Sequence, residues 1–98
     1  MSLDIGFTQL ARVAGQAAHA EEVWIFGSQA RGDASAYSDV DVALVLPDSA
    51  NRREALRAAL SATRRRTFSV DFVVLAKSTL VAGSTLLARQ IRKEGVRV

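Results

Sequence analysis

Two aspartates, Asp39 and Asp41, stand one residue apart at the head of an apolar run, DVDVALVL (39–46), and a Gly27-Ser28 pair precedes them by ten residues. No other feature restricts the fold as much. Strand side chains alternate between faces, so Asp39 and Asp41 project together while Val40, Val42 and Leu44 point the other way, into a core. Carboxylates two apart on one face lie roughly 6.5–7 Å apart at ~3.3 Å per residue. With no cation opposite, they repel and raise each other's pKa. A pair of divalent metals resolves the conflict, since two-metal sites hold ions about 3.5–4 Å apart between carboxylates at about this separation. Mg²⁺ fits, because it takes hard oxygen ligands and shares them with substrate phosphates.

The flanking segments supply the complementary half. EEVWIF (21–26) reads as a strand that ends at Gly27, and GSQARGDASAYS as a turn with a short helix from Ser28. Gly27 lets the backbone turn sharply and approach a ligand. Ser28 adds a hydroxyl, and the helix start offers free N–H groups suited to phosphate. Alone, Gly-Ser is better read as an ordinary strand-to-helix turn with a Ser cap. Gly-Ser, a gap of ten and Asp-x-Asp specify four residues, each used at roughly 5–7%, so a chance match is on the order of one in a thousand chains like this. Asp71 is a further lone acid in an apolar run, FSVDFVVL (68–75). If that strand lies beside 39–46, Asp71 joins the pair as a third ligand or as the base for an attacking hydroxyl. Its plain alternative is to end a strand in solvent.

The remainder frames these strands. Leu3, Phe7, Leu10, Ala14 and Ala17 recur at helical spacing, with Gly15 weakening that helix by ~1 kcal/mol. Residues 50–66 read as a helix with Leu56, Ala59, Leu60 and Thr63 on one face. A last helix is expected from an N-cap at Ser78 or Thr79 to about Lys93, stopped by Gly95, with VRV as a short edge strand. The expectation is one α/β (α+β) domain over residues 1–98, a small mixed β-sheet with helices packed on it.

Composition narrows the class. The 98 residues are 49% hydrophobic, enough for one core, and contain no cysteine, which excludes disulfides and thiolate metal sites. The first twenty residues lack a basic start followed by an unbroken apolar core, and the apolar runs are too short for a membrane span, so a cytoplasmic domain with no membrane partner is expected. The net charge is only +3, which makes a nucleic-acid role the weakest reading. Six of the thirteen cations are arginines between Arg52 and Arg66, read as a solvated face with partner docking next.

FGSQARGDASAYSDVDVALVL resembles the signature of the polymerase β-type nucleotidyltransferase superfamily, Gly-Ser, ten residues, Asp-x-Asp. The likeness runs from about Val23 to the tail RKEGVRV, and the short chain is most similar to the minimal nucleotidyltransferase (MNT) branch. The resemblance implies a polymerase β-type fold and a division of labour. Gly27 and Ser28 would hold the β- and γ-phosphates of a nucleoside triphosphate, with ATP the expected donor. Asp39 and Asp41 would bind two Mg²⁺, and Asp71 would bind the catalytic metal and help deprotonate the acceptor hydroxyl. Arg31, in the frequent Ala-Arg-Gly, is a candidate for a phosphate or the Asp cluster, with a structural salt bridge equally open. Ser38 is expected to orient Asp39.

Larger family members add domains that bind the acceptor, and 98 residues are not expected to hold them, so the acceptor site is expected from a partner, from a second copy in a homo-oligomer, or not at all. Many members of the MNT branch resemble antitoxins paired with a helical HEPN-type toxin, to which they add nucleoside monophosphates on a tyrosine. The alternatives are an antitoxin of the same fold that acts by binding alone, and an aminoglycoside-type small-molecule nucleotidyltransferase completed by a second subunit. His19 reads as a surface or capping residue, Trp24 as core or interface, Tyr37 as a packed loop residue, and Lys77 as a weak candidate for a triphosphate contact.

Overall fold

The computed structural model describes residues 4–34 and 38–98. Leu3 and Tyr37 lie outside the described residues. The elements run α1 (Ile5–Ala18), β1 (Glu22–Phe26), α2 (Ser28–Arg31), β2 (Val40–Leu46), α3 (Arg52–Ala62), β3 (Val70–Ala76), α4 (Lys77–Ala82), α5 (Leu86–Glu94) and β4 (Val96–Arg97). The four strands form one mixed sheet in the order β3-β2-β1-β4. β1 pairs antiparallel with β2 and β4, whereas β2 and β3 are parallel and joined through α3. This is the mixed α/β sheet expected from the sequence.

Period-two alternation divides β2 between two cores. Val40, Val42, Leu44 and Leu46 pack with Val23 and Ile25 against Ala11, Ala14 and Ala18 of α1 and Ala55 and Ala59 of α3. Ala43 and Val45 pack on the other face with Phe26, Leu75, Leu80, Ala88 and Ile91. Both faces of the central strand are therefore covered, which explains its continuous apolar run. The alanines on α1 and α3 let both helices lie close to the sheet.

Gly15 belongs to that close approach rather than to a weak point in the helix. It is buried, and a Cβ there would collide with Val23 Cγ2. Asp4 caps α1 by accepting the Gly6 N–H at 2.7 Å, and His19 ends it in the left-handed conformation at φ 55°. His19 is thus a capping residue, as expected.

Two helices differ from their sequence expectation. The segment 50–66 is helical only over α3, because the Asn51 side chain accepts the Glu54 N–H at one end and Thr63 closes the other. The single last helix is broken in two. Gly83 ends α4 at φ 61°, and Thr85 starts α5 by accepting the Ala88 N–H at 3.0 Å. Neither Ser78 nor Thr79 caps α4; the Ser78 N–H is instead taken by Asp48, thirty residues away in sequence. Gly95 and the edge strand β4 stand where expected, with the Val98 N–H bonded to the Val23 carbonyl at 2.9 Å. Trp24 packs half-buried against the α4–α5 core and donates its indole N–H to Glu22 at 3.0 Å. Among the described residues no helix is long and apolar enough to cross a membrane.

Gly15→Ala separates the two readings of that glycine. Propensity alone favours Ala by ~1 kcal/mol, but overpacking against Val23 costs about 1–3 kcal/mol. A net loss is expected, read as a lower Tm in calorimetry. Adding Val23→Ala, which removes the methyl groups in the way, makes the double variant less unstable than the two single effects combined.

Candidate active site

Asp41 and Asp71 are direct neighbours in the parallel register of β2 and β3. Strand spacing sets their backbones about 4.8 Å apart, on the sheet face that carries α4 and α5. Asp39 sits one residue before β2, on the same alternation as Asp41, and is exposed. Sheet pairing begins at once after it, with the Val40 N–H on the Ser69 carbonyl at 2.9 Å. The three acids that the sequence singled out therefore share one end and one face of the sheet. They line an open rim, and among the described residues they do not close into a tight ligand cluster.

The Gly-Ser turn lies against this rim. Phe26 is the antiparallel partner of Asp41, so Gly27 follows directly beside it. Gly27 has φ 74° and ψ −153°, a conformation that essentially only glycine adopts, and a Cβ there would collide with Asp41 Oδ2. The missing side chain is what lets the turn and the carboxylate approach. Ser28, half-buried, opens α2, which is a single turn closed by Arg31 N–H to the Gly27 carbonyl at 3.0 Å and Gly32 N–H to Ser28 at 2.9 Å. Four residues give little macrodipole, so any phosphate here depends on individual N–H groups and the Ser28 hydroxyl. Ser38 is half-buried before Asp39, and its carbonyl accepts from Gln29 Nε2 at 3.4 Å.

Arg31 is engaged with acids other than the three aspartates. Its Nε donates to Asp33 at 3.1 Å and its Nη1 to both Glu94 oxygens at 3.1 and 3.0 Å. Of the two alternatives open in the sequence, a salt bridge is what forms. Glu94 was not singled out by sequence reasoning. It comes from the last turn of α5, accepts Gln90 Nε2 at 2.7 Å, and also draws on the Gly27 N–H. These bonds hold its carboxyl below the usual range. An acid at a helix C-terminus faces the wrong end of the dipole, and that misfit was the available signal of a partner.

Lys77 is excluded from this rim. It follows the far end of β3, about 20 Å along the strand from Asp71 at ~3.3 Å per residue, and is ion-paired with the buried Glu22.

The electrostatics of the rim are unbalanced. Asp41 is pushed above the ordinary carboxylate value first by desolvation, then by the charges of Asp71 and Asp39, with Arg31 opposing and Glu94 adding to the rise. A carboxyl whose folded pKa exceeds its unfolded value holds its proton more tightly when folded. Its contribution to stability is full below the unfolded pKa and is lost as pH rises through the folded one. Three hard-oxygen donors in mutual repulsion, beside a cradle that one methyl would fill, fit divalent cations and phosphate. Asp41→Asn keeps the shape and removes the charge. It is expected to raise Tm at neutral pH in metal-free buffer, with the difference from wild type vanishing in acid, as thermal melts across pH will read.

Residues 9–98 match the family model of the nucleotidyltransferase domain. Among solved structures, a Sulfolobus solfataricus protein assigned as a nucleotidyltransferase is similar with a TM-score of 0.55 and 24% identity, covering 95% of this chain and 82% of that one. A toxin–antitoxin structure with AMP-PNP gives a TM-score of 0.57 at 25% identity, over 95% of this chain and 69% of that one. The MntA–HpeT toxin–antitoxin, in a mutant with two aspartates replaced by glutamates, gives 0.55 at 24% identity, over 92% and 67%. No curated protein sequence matches. Because the family match runs unbroken from α1 through the Gly-Ser turn and the acidic rim to the tail, the chain belongs to the nucleotidyltransferase domain family and is a nucleotidyltransferase.

Proposed function

We infer that this chain transfers a nucleoside monophosphate from a nucleoside triphosphate, ATP in the first instance, to a hydroxyl of a partner protein, and that it acts as the antitoxin of a toxin–antitoxin pair. The observation that carries the chemistry is the in-register pairing of Asp41 with Asp71 beside Gly27. The partner half is supported by the toxin–antitoxin structures among the similar folds, one of them with AMP-PNP. A helical HEPN-type toxin is the partner we assign.

Roles follow from position. Asp39, Asp41 and Asp71 are the residues that would hold two Mg²⁺, and those ions, when bound, neutralise charge on the attacking and leaving oxygens. Gly27 and Ser28 hold the β- and γ-phosphates through N–H groups and the hydroxyl, and thereby fix the α-phosphorus over the rim. Asp71 accepts the acceptor hydroxyl's proton; the new bond joins that oxygen to the α-phosphorus, and the bond to the β-phosphate breaks to release pyrophosphate. Ser38 orients Asp39. Arg31, next to the Gly-Ser turn, offers a cation to the triphosphate when it leaves Glu94. A binding-only antitoxin is the second reading. The charge repulsion retained at Asp41 counts against it, because a surface that acts by contact alone gains nothing from an unrelieved acidic cluster.

The deciding experiment is the intact mass of the neighbouring gene's product after co-expression with wild type or with Asp39→Asn/Asp41→Asn. Mass steps of one nucleoside monophosphate are expected with wild type only. An unmodified partner that co-purifies equally with both would leave the binding-only reading. Mg²⁺ with a non-hydrolysable ATP analogue is expected to raise the Tm of wild type and to leave the double variant unmoved. Ser28→Ala is expected to weaken nucleotide binding by about 0.5–1.5 kcal/mol, the value of one hydrogen bond, measured by titration calorimetry.

A further inference from the structure

The positive charge of this chain is concentrated in one place that the acidic rim does not use. Residues 52–66 hold six arginines against one acid, Glu54, a formal +5; since the whole chain is +3, everything else together is −2. Four residues at four-, three- and four-residue steps on α3 and just beyond it, Arg53, Arg57, Leu60 and Arg64, fall on one helical face. With Leu56 and Ser61 they line a shallow groove of about 440 Å³. Leu60 is 43% exposed, on a helix that buries only Ala55 and Ala59 against the sheet. Among the described residues none of Arg53, Arg57 and Arg64 is in an ion pair, although Arg31, Lys77 and Arg97 all are. Two leucines flanked by three unpaired guanidinium groups make an apolar floor with cationic walls.

The location is informative. α3 packs against the sheet face opposite the one that carries Asp41 and Asp71. Its C-terminal end leads through residues 63–69 into β3, so the Arg64 end of the groove shares the end of the sheet that bears the aspartates. A molecule seated in the groove lies on the face opposite the rim and leaves the Gly-Ser turn open, with its Arg64 end toward the end of the sheet that bears the aspartates. The apolar floor and the lack of interleaved aromatic residues favour a protein helix over single-stranded nucleic acid.

We propose that the groove on α3 docks an acidic amphipathic helix of the acceptor protein, its apolar stripe on Leu56 and Leu60 and its carboxylates on Arg53, Arg57 and Arg64. The proposal deepens the protein-acceptor reading and rests on it. Arginine suits this role because its planar fork binds carboxylates bidentately and is weakly hydrated. Docking at a distance from the reacting atoms also makes partner binding and nucleotide binding independent.

The test uses a synthetic helical peptide of about five turns with leucines at i, i+3, i+4 and i+7 and glutamates beside them, its binding to the full chain followed by fluorescence anisotropy at low salt. A peptide of equal charge with alanine for leucine is expected to bind roughly tenfold more weakly, a difference of about 1.4 kcal/mol. Arg53→Glu/Arg57→Glu/Arg64→Glu abolishes binding, Leu60→Ser weakens it, and saturating ATP analogue leaves it unchanged. Leu60→Ser alters one exposed side chain, so it serves if the triple variant does not fold. Equal binding of the two peptides, no effect of either variant, or tighter binding of a single-stranded RNA than of the peptide overturns the proposal. The Asp39→Asn/Asp41→Asn variant keeps the two readings apart. Peptide binding by both wild type and this variant, with no partner modified even by wild type, sinks the enzymatic reading and leaves the groove; partner modification that survives the triple arginine substitution does the reverse.

Discussion

The in-register parallel pairing of β2 with β3 governs both the stability of this molecule and its chemistry. The same register that buries Val42, Leu44 and Leu46 under α1 and α3 sets Asp41 beside Asp71. A slip of one residue would turn Asp41 under α1 and α3 and press the larger Val42 and Leu44 into the face that holds Ala43 and Val45, a cost no small domain could bear. The apolar residues thus enforce the acid pair, and the acid pair needs no contacts of its own to stay in place. The Gly27 turn is pinned to the same frame, because Phe26 is the neighbour of Asp41 on the other side.

Crowding of charge at this rim is a cost that folding carries. Desolvation and neighbouring acids both disfavour the ionised form of Asp41, and the nearby cation Arg31 is already shared between Asp33 and Glu94. Sites that store repulsion in this way trade stability for a place where incoming positive charge is bound strongly. The mixed sheet, covered on both faces, supplies the rigidity that keeps the groups from simply turning away from one another.

Much of this was legible in the sequence, and what escaped had physical reasons. Period-two alternation exposed Asp39 and Asp41 because a strand's two faces are read directly from neighbouring letters. Asp71 was visible for the same reason. The pairing of Asp71 with Asp41 was only conditional, since parallel register is set across α3 and no local pattern encodes it. The break at Gly83 was missed because Leu80, Leu87 and Ile91 keep helical spacing across it, and α4 and α5 pack on the same core. Asp48 as the cap of α4 and Glu94 as the partner of Arg31 are contacts between segments thirty and sixty-three residues apart, beyond the reach of any window. Lys77 looked available only because its partner, Glu22, is buried at the start of a strand that reads as apolar.

Trp24 gives the molecule an optical property that bears on all of this. It is the single tryptophan of the chain, and its ring edge faces Gly95 so closely that a Cβ there would lie 2.9 Å from Cε3. Gly95 directly follows Glu94, so the indole touches the backbone that carries the carboxylate clasping Arg31 and the Gly27 turn. Any shift of the end of α5 that loosens this clasp must change the packing and the polarity around the indole, whose N–H is already tied to Glu22. The protein therefore contains its own spectroscopic reporter, set against Gly95, the residue that follows the carboxylate paired with Arg31.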